Sequence, residues 1–368
     1  MLRKGIQQEM NVKFIDIPKK VGRMRIYNEF KTSGRNRMKR KIVCAFLMTV
    51  LFGLTMTGCK KQNVGTPEDN AVIETDDTDE TEEEHGYVFG YSCIDWNNPY
   101  FETLGLAMEN ALGDEGRLVV KNAGTDADVQ AQQIEELIEE GVDAVFLCPV
   151  DWKAVTSSLE ALEEAGIPVI NLDTQAKATD LIDAFIGSDN YNAGAVCGED
   201  LVKRCPEGGK VVIVECTDRN SVIERINGFE KNITNSGFEV VARTDGRGEK
   251  ETAKQQVKEL LEQYPEIDAI MCGNDTMALG AMEAVKDAGR ADILIYGVDG
   301  SPEVKEELAK EDSPIVGTGA QSPINMGADA VKTALAIMNG EDYKESREEA
   351  TFFINKENVK LYGIDGWQ

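Results

Sequence analysis

The stretch "AIMCGNDTMALGAMEAVKDAG", Ala269 to Gly289, sets a strand and a helix on either side of one polar step. Ala269–Gly273 is a short apolar run with no room for a helix. Thr276–Gly289 is a helical pattern that stops at a glycine. Between them Asn274 is left free at the strand end, with Asp275 or Thr276 as the expected helix cap.

The same unit recurs along the chain. Apolar runs fall at 87–92, 117–122, 144–149, 168–172, 183–187, 210–216, 238–243, 269–273 and 293–298. Helical patterns lie between them. In 129–141, Ile134, Leu137 and Ile138 share one face and Gly141 ends the run; in 253–265, Val257, Leu260 and Leu261 do the same before Pro265. Apolar strands alternating with helices imply parallel sheets covered on both faces. The number of units exceeds one sheet, so the expected fold class is α/β with two doubly wound parallel-sheet lobes.

Charge separates the chain into a head and a body. Residues 1–58 carry thirteen Lys and Arg against three Asp and Glu, whereas the whole chain has a formal net charge of −27. Such an acidic body argues against a nucleic-acid partner, and no helix-turn-helix pattern precedes the strand–helix units. The single histidine, His85, sits beside a glutamate run. Serine triads, Cys–His dyads and HExxH zinc sites all need a placed imidazole, so these chemistries are disfavoured. No CxxC pair occurs, which removes the common zinc and thioredoxin patterns. Cysteines in the apolar strands read as small buried hydrophobes. "GTGAQS" (317–322) lacks the third glycine of a dinucleotide fingerprint, and no GxxxxGK[ST] is present. No catalytic residue, metal or cofactor is expected.

The basic head has the build of an export signal. Met38–Lys41 forms a positive start, "IVCAFLMTVLFGLTMTG" (42–58) an apolar stretch with small residues at its end, and Cys59 follows. The run is short for a membrane span. Residues 1–37 fit either a start at Met38 or a long basic leader. "MTGC" resembles a bacterial lipobox, which implies lipid attachment at Cys59 and retention on the outer face of a membrane. Thr66–Gly86, "TPEDNAVIETDDTDETEEEHG", is acidic and nearly free of core formers. It reads as a disordered tether, so 59–85 would space the folded body from the membrane.

In open α/β sheets ligands bind beyond the carboxyl ends of the strands. Read in turn, those ends carry "CIDWNNPYF" (93–101), Asp173–Thr174, "TDRNSVIERINGF" (217–229) with Arg225, Asn274, Asp299 and Gln321. Asn98 before Pro99 is a natural helix cap as well as a site candidate. Carboxylate, amide and guanidinium groups suit vicinal hydroxyls, each of which donates and accepts. The rings of Trp96, Tyr100 and Phe101 suit the apolar C–H face of a sugar; a place in the core is the alternative for each, Phe101 above all.

These residues sit in motifs with a family likeness. "NNPYF" (97–101), "IPVINLDTQA" (167–176), "FIGSDNYNAG" (185–194), "ERINGFE" (224–230), "GNDTMALGAMEAV" (273–285), "YGVDGSP" (296–302) and "GAQSPINMGADA" (319–330) occur in order across the body. Together they resemble the type I periplasmic sugar-binding proteins of the ribose-binding branch. The resemblance implies two lobes joined by a three-strand hinge: 86–187 with 322–349, and 188–321 with 350–368. It also implies a monomer without enzymatic activity that captures a monosaccharide or polyol by closing. Delivery to the permease of an ABC importer, or signalling to a chemoreceptor or kinase, would follow. The implied ligand positions are Asn98, Tyr100, Phe101, Asp173, Arg225, Asn274, Asp299 and Gln321. Two departures stand out: Thr174 replaces an arginine of the ribose binders, and no aromatic lies near Gly248. Trp96 and Trp152 are the candidates to reach that space and Arg247 to supply a different polar contact, and the two departures argue against ribose itself.

Overall fold

The computed structural model describes residues 86–368. The export signal, Cys59 and the tether through His85 lie outside the described residues. Two six-stranded sheets form the frame. The first holds β1 (Tyr87–Cys93), β2 (Gly116–Asn122), β3 (Ala144–Leu147), β4 (Val169–Leu172), β5 (Ala184–Ser188) and β11 (Ser346–Glu349), in the order β11-β5-β4-β3-β1-β2. All its pairings are parallel. The second holds β6 (Gly209–Glu215), β7 (Phe238–Asp245), β8 (Ala269–Cys272), β9 (Leu294–Asp299), β10 (Ile315–Ala320) and β12 (Phe352–Asn355), in the order β12-β10-β9-β8-β6-β7. Only β12 runs antiparallel there, on β10.

The nine expected strands are present, and β10, β11 and β12 are additional. Thus 317–320, weighed above as a nucleotide loop, is the end of a buried strand.

Helices cover both faces of each sheet, as strands buried on two sides require. In the first lobe α1 (Pro99–Leu112) packs with α9 (Pro323–Asn339), and α2 (Ala127–Glu140) with α3 (Thr156–Ala165). In the second, α4 (Asn190–Arg204) packs with α5 (Asn220–Ile233), and α6 (Lys250–Gln263) with α7 (Asp275–Asp287), while the short α8 (Pro302–Leu308) follows β9. Four apolar clusters result, one on each face of each sheet. The helix starts follow the local chemistry. Asn98, Asp126, Ser301 and Ser322 each accept a backbone N–H of the first turn, and α1, α8 and α9 begin with proline. The cysteines at 93, 148, 197, 216 and 272 are buried thiols, and Cys205 is half-buried.

The chain passes between the sheets three times: after β5, after β10 and between β11 and β12. Thr351 ties two of these crossings together. Its Oγ1 donates to the Asp189 carbonyl at 3.0 Å, and Asn192 Nδ2 donates back to it at 2.9 Å. The third crossing meets the chain end, where Ser322 Oγ donates to the Gln368 carbonyl. Trp367 packs edge-on against Tyr100, with ring centroids 5.8 Å apart. The end of 350–368, grouped by sequence with the second lobe, therefore rests on the core of the first.

Candidate functional site

Each sheet reverses its strand order beside its first strand, at β1/β3 and at β6/β8. A crevice opens beyond the carboxyl ends at such points. The two crevices face each other. One pocket is lined from the first lobe by Asn98, Tyr100, Phe101 and Asp173, and from the second by Arg219, Ser221, Val222, Arg225, Asn274 and Asp299. Seven residues expected from sequence are therefore brought to one place.

Arg225 organises the second wall. From the second turn of α5 its Nε donates to Asn190 Oδ1 at 2.7 Å and its Nη1 to the Gly273 carbonyl at 2.9 Å. Nη1 also lies 3.5 Å from Asp299 Oδ1, and Nη2 3.8 Å from Asp173 Oδ1 across the cleft. Gln321 stands behind this pair: its Nε2 donates to Asp299 Oδ1 at 2.8 Å, and Tyr100 Oη donates to its Oε1 at 3.5 Å. Gln321 is buried and holds the carboxylate in place rather than lining the pocket.

Asn98 and Asn274 each do two jobs. Both spend the amide oxygen on a helix cap, accepting from Tyr100 N at 3.0 Å and Met277 N at 2.8 Å. Asn274, not Asp275 or Thr276, is thus the cap of α7. Asp275 instead turns inward and accepts from Ser301 N and Thr318 Oγ1, each at 2.7 Å. The strand-end expectation missed this because a buried aspartate anchoring the next loop has the same sequence signature as a cap.

Besides Gln321, four candidate residues lie outside the pocket lining. Trp96 lies off the pocket; its ring packs on Gly105 and Tyr91, and its backbone N–H donates to Asn122 Oδ1 at 3.0 Å. Thr174 is fully buried, and its Oγ1 meets Ser221 Oγ at 2.6 Å. Trp152 and Arg247 are also absent from the lining. Conversely, Arg219 does line the pocket although sequence reading passed it over. The signal was available: Arg219 comes four residues after β6, at the switch point, but "TDRNS" reads as an ordinary polar turn.

Contacts away from the hinge join the lobes directly. Besides Thr174–Ser221, Trp152 N donates to the Asp218 carbonyl at 3.0 Å and Thr125 Oγ1 to Glu249 Oε1 at 3.1 Å. The lobes are closed on one another.

Burial dominates the electrostatics. It raises the Asp173 carboxyl above its ordinary value, against the opposing pull of Arg225 and Arg219. It raises Asp299 further, to about 8, Arg225 opposing and the Asp275 and Asp173 charges adding to the rise. Asp275 is raised in the same sense, mainly by burial. Asp299, so raised, keeps its proton in the native state while the unfolded chain loses it. Between about pH 4 and pH 8 the native state therefore binds more protons, and stability falls as pH rises. We expect urea midpoints to drop across this window and the slope to shallow in Asp299→Asn. An unchanged slope in that variant would contradict the assignment.

Two facing crevices with polar groups on both walls, closed about a three-strand hinge, define a bilobal solute-binding protein. The chain belongs to the periplasmic binding protein domain family, whose model matches residues 89–342, and within it to the ribose-binding branch of the type I sugar-binding proteins. It is 30% identical to the ribose import binding protein of Bacillus subtilis over 263 residues, 71% of this chain and 84% of that one. Among solved structures, a solute-binding protein of Bacillus halodurans with bound myo-inositol is 28% identical, with a TM-score of 0.70 over 77% of this chain and 99% of that one. One from Actinobacillus succinogenes with bound D-allose is 26% identical, with a TM-score of 0.68 over 76% and 100%. Membership implies an extracytoplasmic location. Among the described residues no helix is long and apolar enough to cross a membrane.

Proposed function

We propose that this chain is a lipid-anchored receptor that captures a monosaccharide or related polyol between its lobes and presents it to the permease of an ABC importer. The observation that carries the reading is the pocket itself. Carboxylate, amide and guanidinium groups of both lobes converge there with Tyr100 and Phe101. Asp173 and Asn98 on one wall, Asn274 and Asp299 on the other, suit hydroxyls that donate and accept in turn. Tyr100 and Phe101 stand edge to face at 5.3 Å and offer an apolar wall to the ring C–H groups.

On this reading the lobes are 86–187 with 322–349 and 188–321 with 350–368. Ligand contacts made only when both walls meet favour the closed form, a shift of population without chemistry. The closed pair of lobes is then the surface a permease distinguishes. Cys59 would hold the acyl chains and 59–85 would give the body reach above the membrane; one chain alone anchors weakly. The chain acts as a monomer and needs no cofactor.

The test is a thermal-shift panel of D-ribose, D-allose, xylitol and myo-inositol on the full chain, followed by calorimetry on Asp173→Ala. At least one compound should raise the melting temperature. Asp173→Ala should weaken that compound by on the order of 10-fold or more, since it leaves ligand hydroxyls unpaired in a closed site. Equal affinity in Asp173→Ala would place the ligand elsewhere.

A further inference from the structure

We propose that Arg219 and Asp173 form a donor–acceptor pair across the cleft that reads one hydroxyl of an uncharged ligand, and that Arg219 thereby sets the specificity of the pocket. The inference rests on the sugar-capture reading above and narrows its ligand class.

Arg219 is only 6% exposed, yet its guanidinium is poorly used. Nε is buried without any hydrogen-bond partner, and Nη2 reaches only the Arg247 carbonyl, at 3.5 Å. A guanidinium offers five N–H donors and cannot shed its charge. Leaving such donors dry is costly, so a buried arginine in this condition is normally completed by something else. Arg225, by contrast, already serves Asn190, Gly273 and Asp299. It is the committed arginine of the pocket and Arg219 the available one.

The position is built for it. Arg219 precedes α5 in extended backbone, and its Nη1 lies over Gly248, where even a Cβ atom would come within 2.3 Å. The glycine leaves the guanidinium room to lie in the cleft. Burial raises the Asp173 carboxyl on the opposite lobe, and the Arg219 charge, after that of Arg225, offsets part of the rise. Asp173 accepts from Thr174 Oγ1 at 3.2 Å through Oδ2 and keeps further acceptor capacity.

What fits between a guanidinium and a carboxylate must accept from one and donate to the other. A hydroxyl does both. A ligand carboxylate or phosphate would satisfy Arg219 but meet the Asp173 charge with no proton to offer. The pair therefore selects a neutral polyol over a sugar acid of the same skeleton. Because the partners belong to different lobes, the hydroxyl is bridged only on closure.

The experiment is calorimetry of the full chain against the best compound of the neutral panel, its monodeoxy analogues, and D-gluconate and D-glucuronate. Arg219→Ala and Arg219→Gln are measured beside the wild type, with apo melting temperatures to verify folding. Both variants should bind the neutral compound about 10- to 150-fold more weakly, the range for a hydrogen bond to a charged group. One deoxy analogue should lose a comparable factor against the wild type and nothing further against Arg219→Ala, the signature of a direct contact. Variants that bind within twofold of wild type while Asp173→Ala loses binding would overturn the role of Arg219 alone. A sugar acid that binds the wild type more tightly than the neutral compound would overturn the charge argument. Failure of every neutral compound and every sugar acid would overturn the sugar reading and this inference with it.

Discussion

Arg225→Ala is expected to remove measurable sugar binding and also to weaken the unliganded fold, by about 3–5 kcal/mol. The double effect follows from where the side chain sits. It is buried and pairs across the cleft with Asp173 and within its own lobe with Asp299, while also bonding Asn190 and the Gly273 carbonyl. Deletion leaves two buried carboxyls without their cation and an amide and a carbonyl without their donor. The carboxyls can recover part of the loss by binding protons, since Arg225 is what opposes the rise caused by burial. The stability deficit should therefore be larger at pH 8 than at pH 5. Urea unfolding at both pH values and calorimetry at one of them test the prediction together. A variant that lost affinity with undiminished stability would show that the network serves the ligand alone.

The sequence carried the architecture well because strand and helix signals were clean. Each of the nine expected strands is a short apolar run, and every helix between them except α5, which ends before Thr234, stops at or beside a glycine or proline. The three that escaped have physical reasons. β10, "IVGTGA", hides behind two glycines that look like a loop but are required by packing. A Cβ at Gly317 would strike the Phe353 ring, and one at Gly319 the Ala193 carbonyl. β11, "SREE", is a charged edge strand with no apolar alternation to read. β12 is a four-residue strand whose only fully buried residue is Ile354. The site was legible wherever a residue follows its strand directly, as Asp173 and Asn274 do. It was misread where several candidates crowd one loop. Trp96 and Tyr100 are four residues apart in "CIDWNNPYF", yet one packs between Gly105 of α1 and Tyr91 of β1 and the other faces the cleft. Arg219 and Arg225 follow the same strand; only the packing of α5 shows that both side chains enter the pocket.

That packing sets up the second large effect, Gly194→Ala. On intrinsic grounds alanine should improve α4, since glycine is about 1 kcal/mol worse inside a helix. The contact across α4 and α5 reverses the sign. A Cβ at Gly194 would lie 1.7 Å from the Arg225 carbonyl oxygen, and one at Gly228 would lie 2.0 Å from the Tyr191 carbonyl oxygen. These obstacles are backbone atoms, so no rotamer can relieve them. The helices would have to separate until the contact reached the ordinary 3.4–4 Å range. The bond from Arg225 Nε to Asn190 Oδ1, 2.7 Å long between the same two helices, does not survive such a shift. Gly194→Ala should thus cost about 1–3 kcal/mol from overpacking. It should also weaken sugar binding by about tenfold or more, because Arg225 moves with its backbone while Asp299 and Asn274 stay with the sheet. Melting temperature and affinity must fall together. A variant that melted higher, as helix propensity alone demands, would show that α4 and α5 are not locked in this register and that Arg225 is positioned by its hydrogen bonds instead.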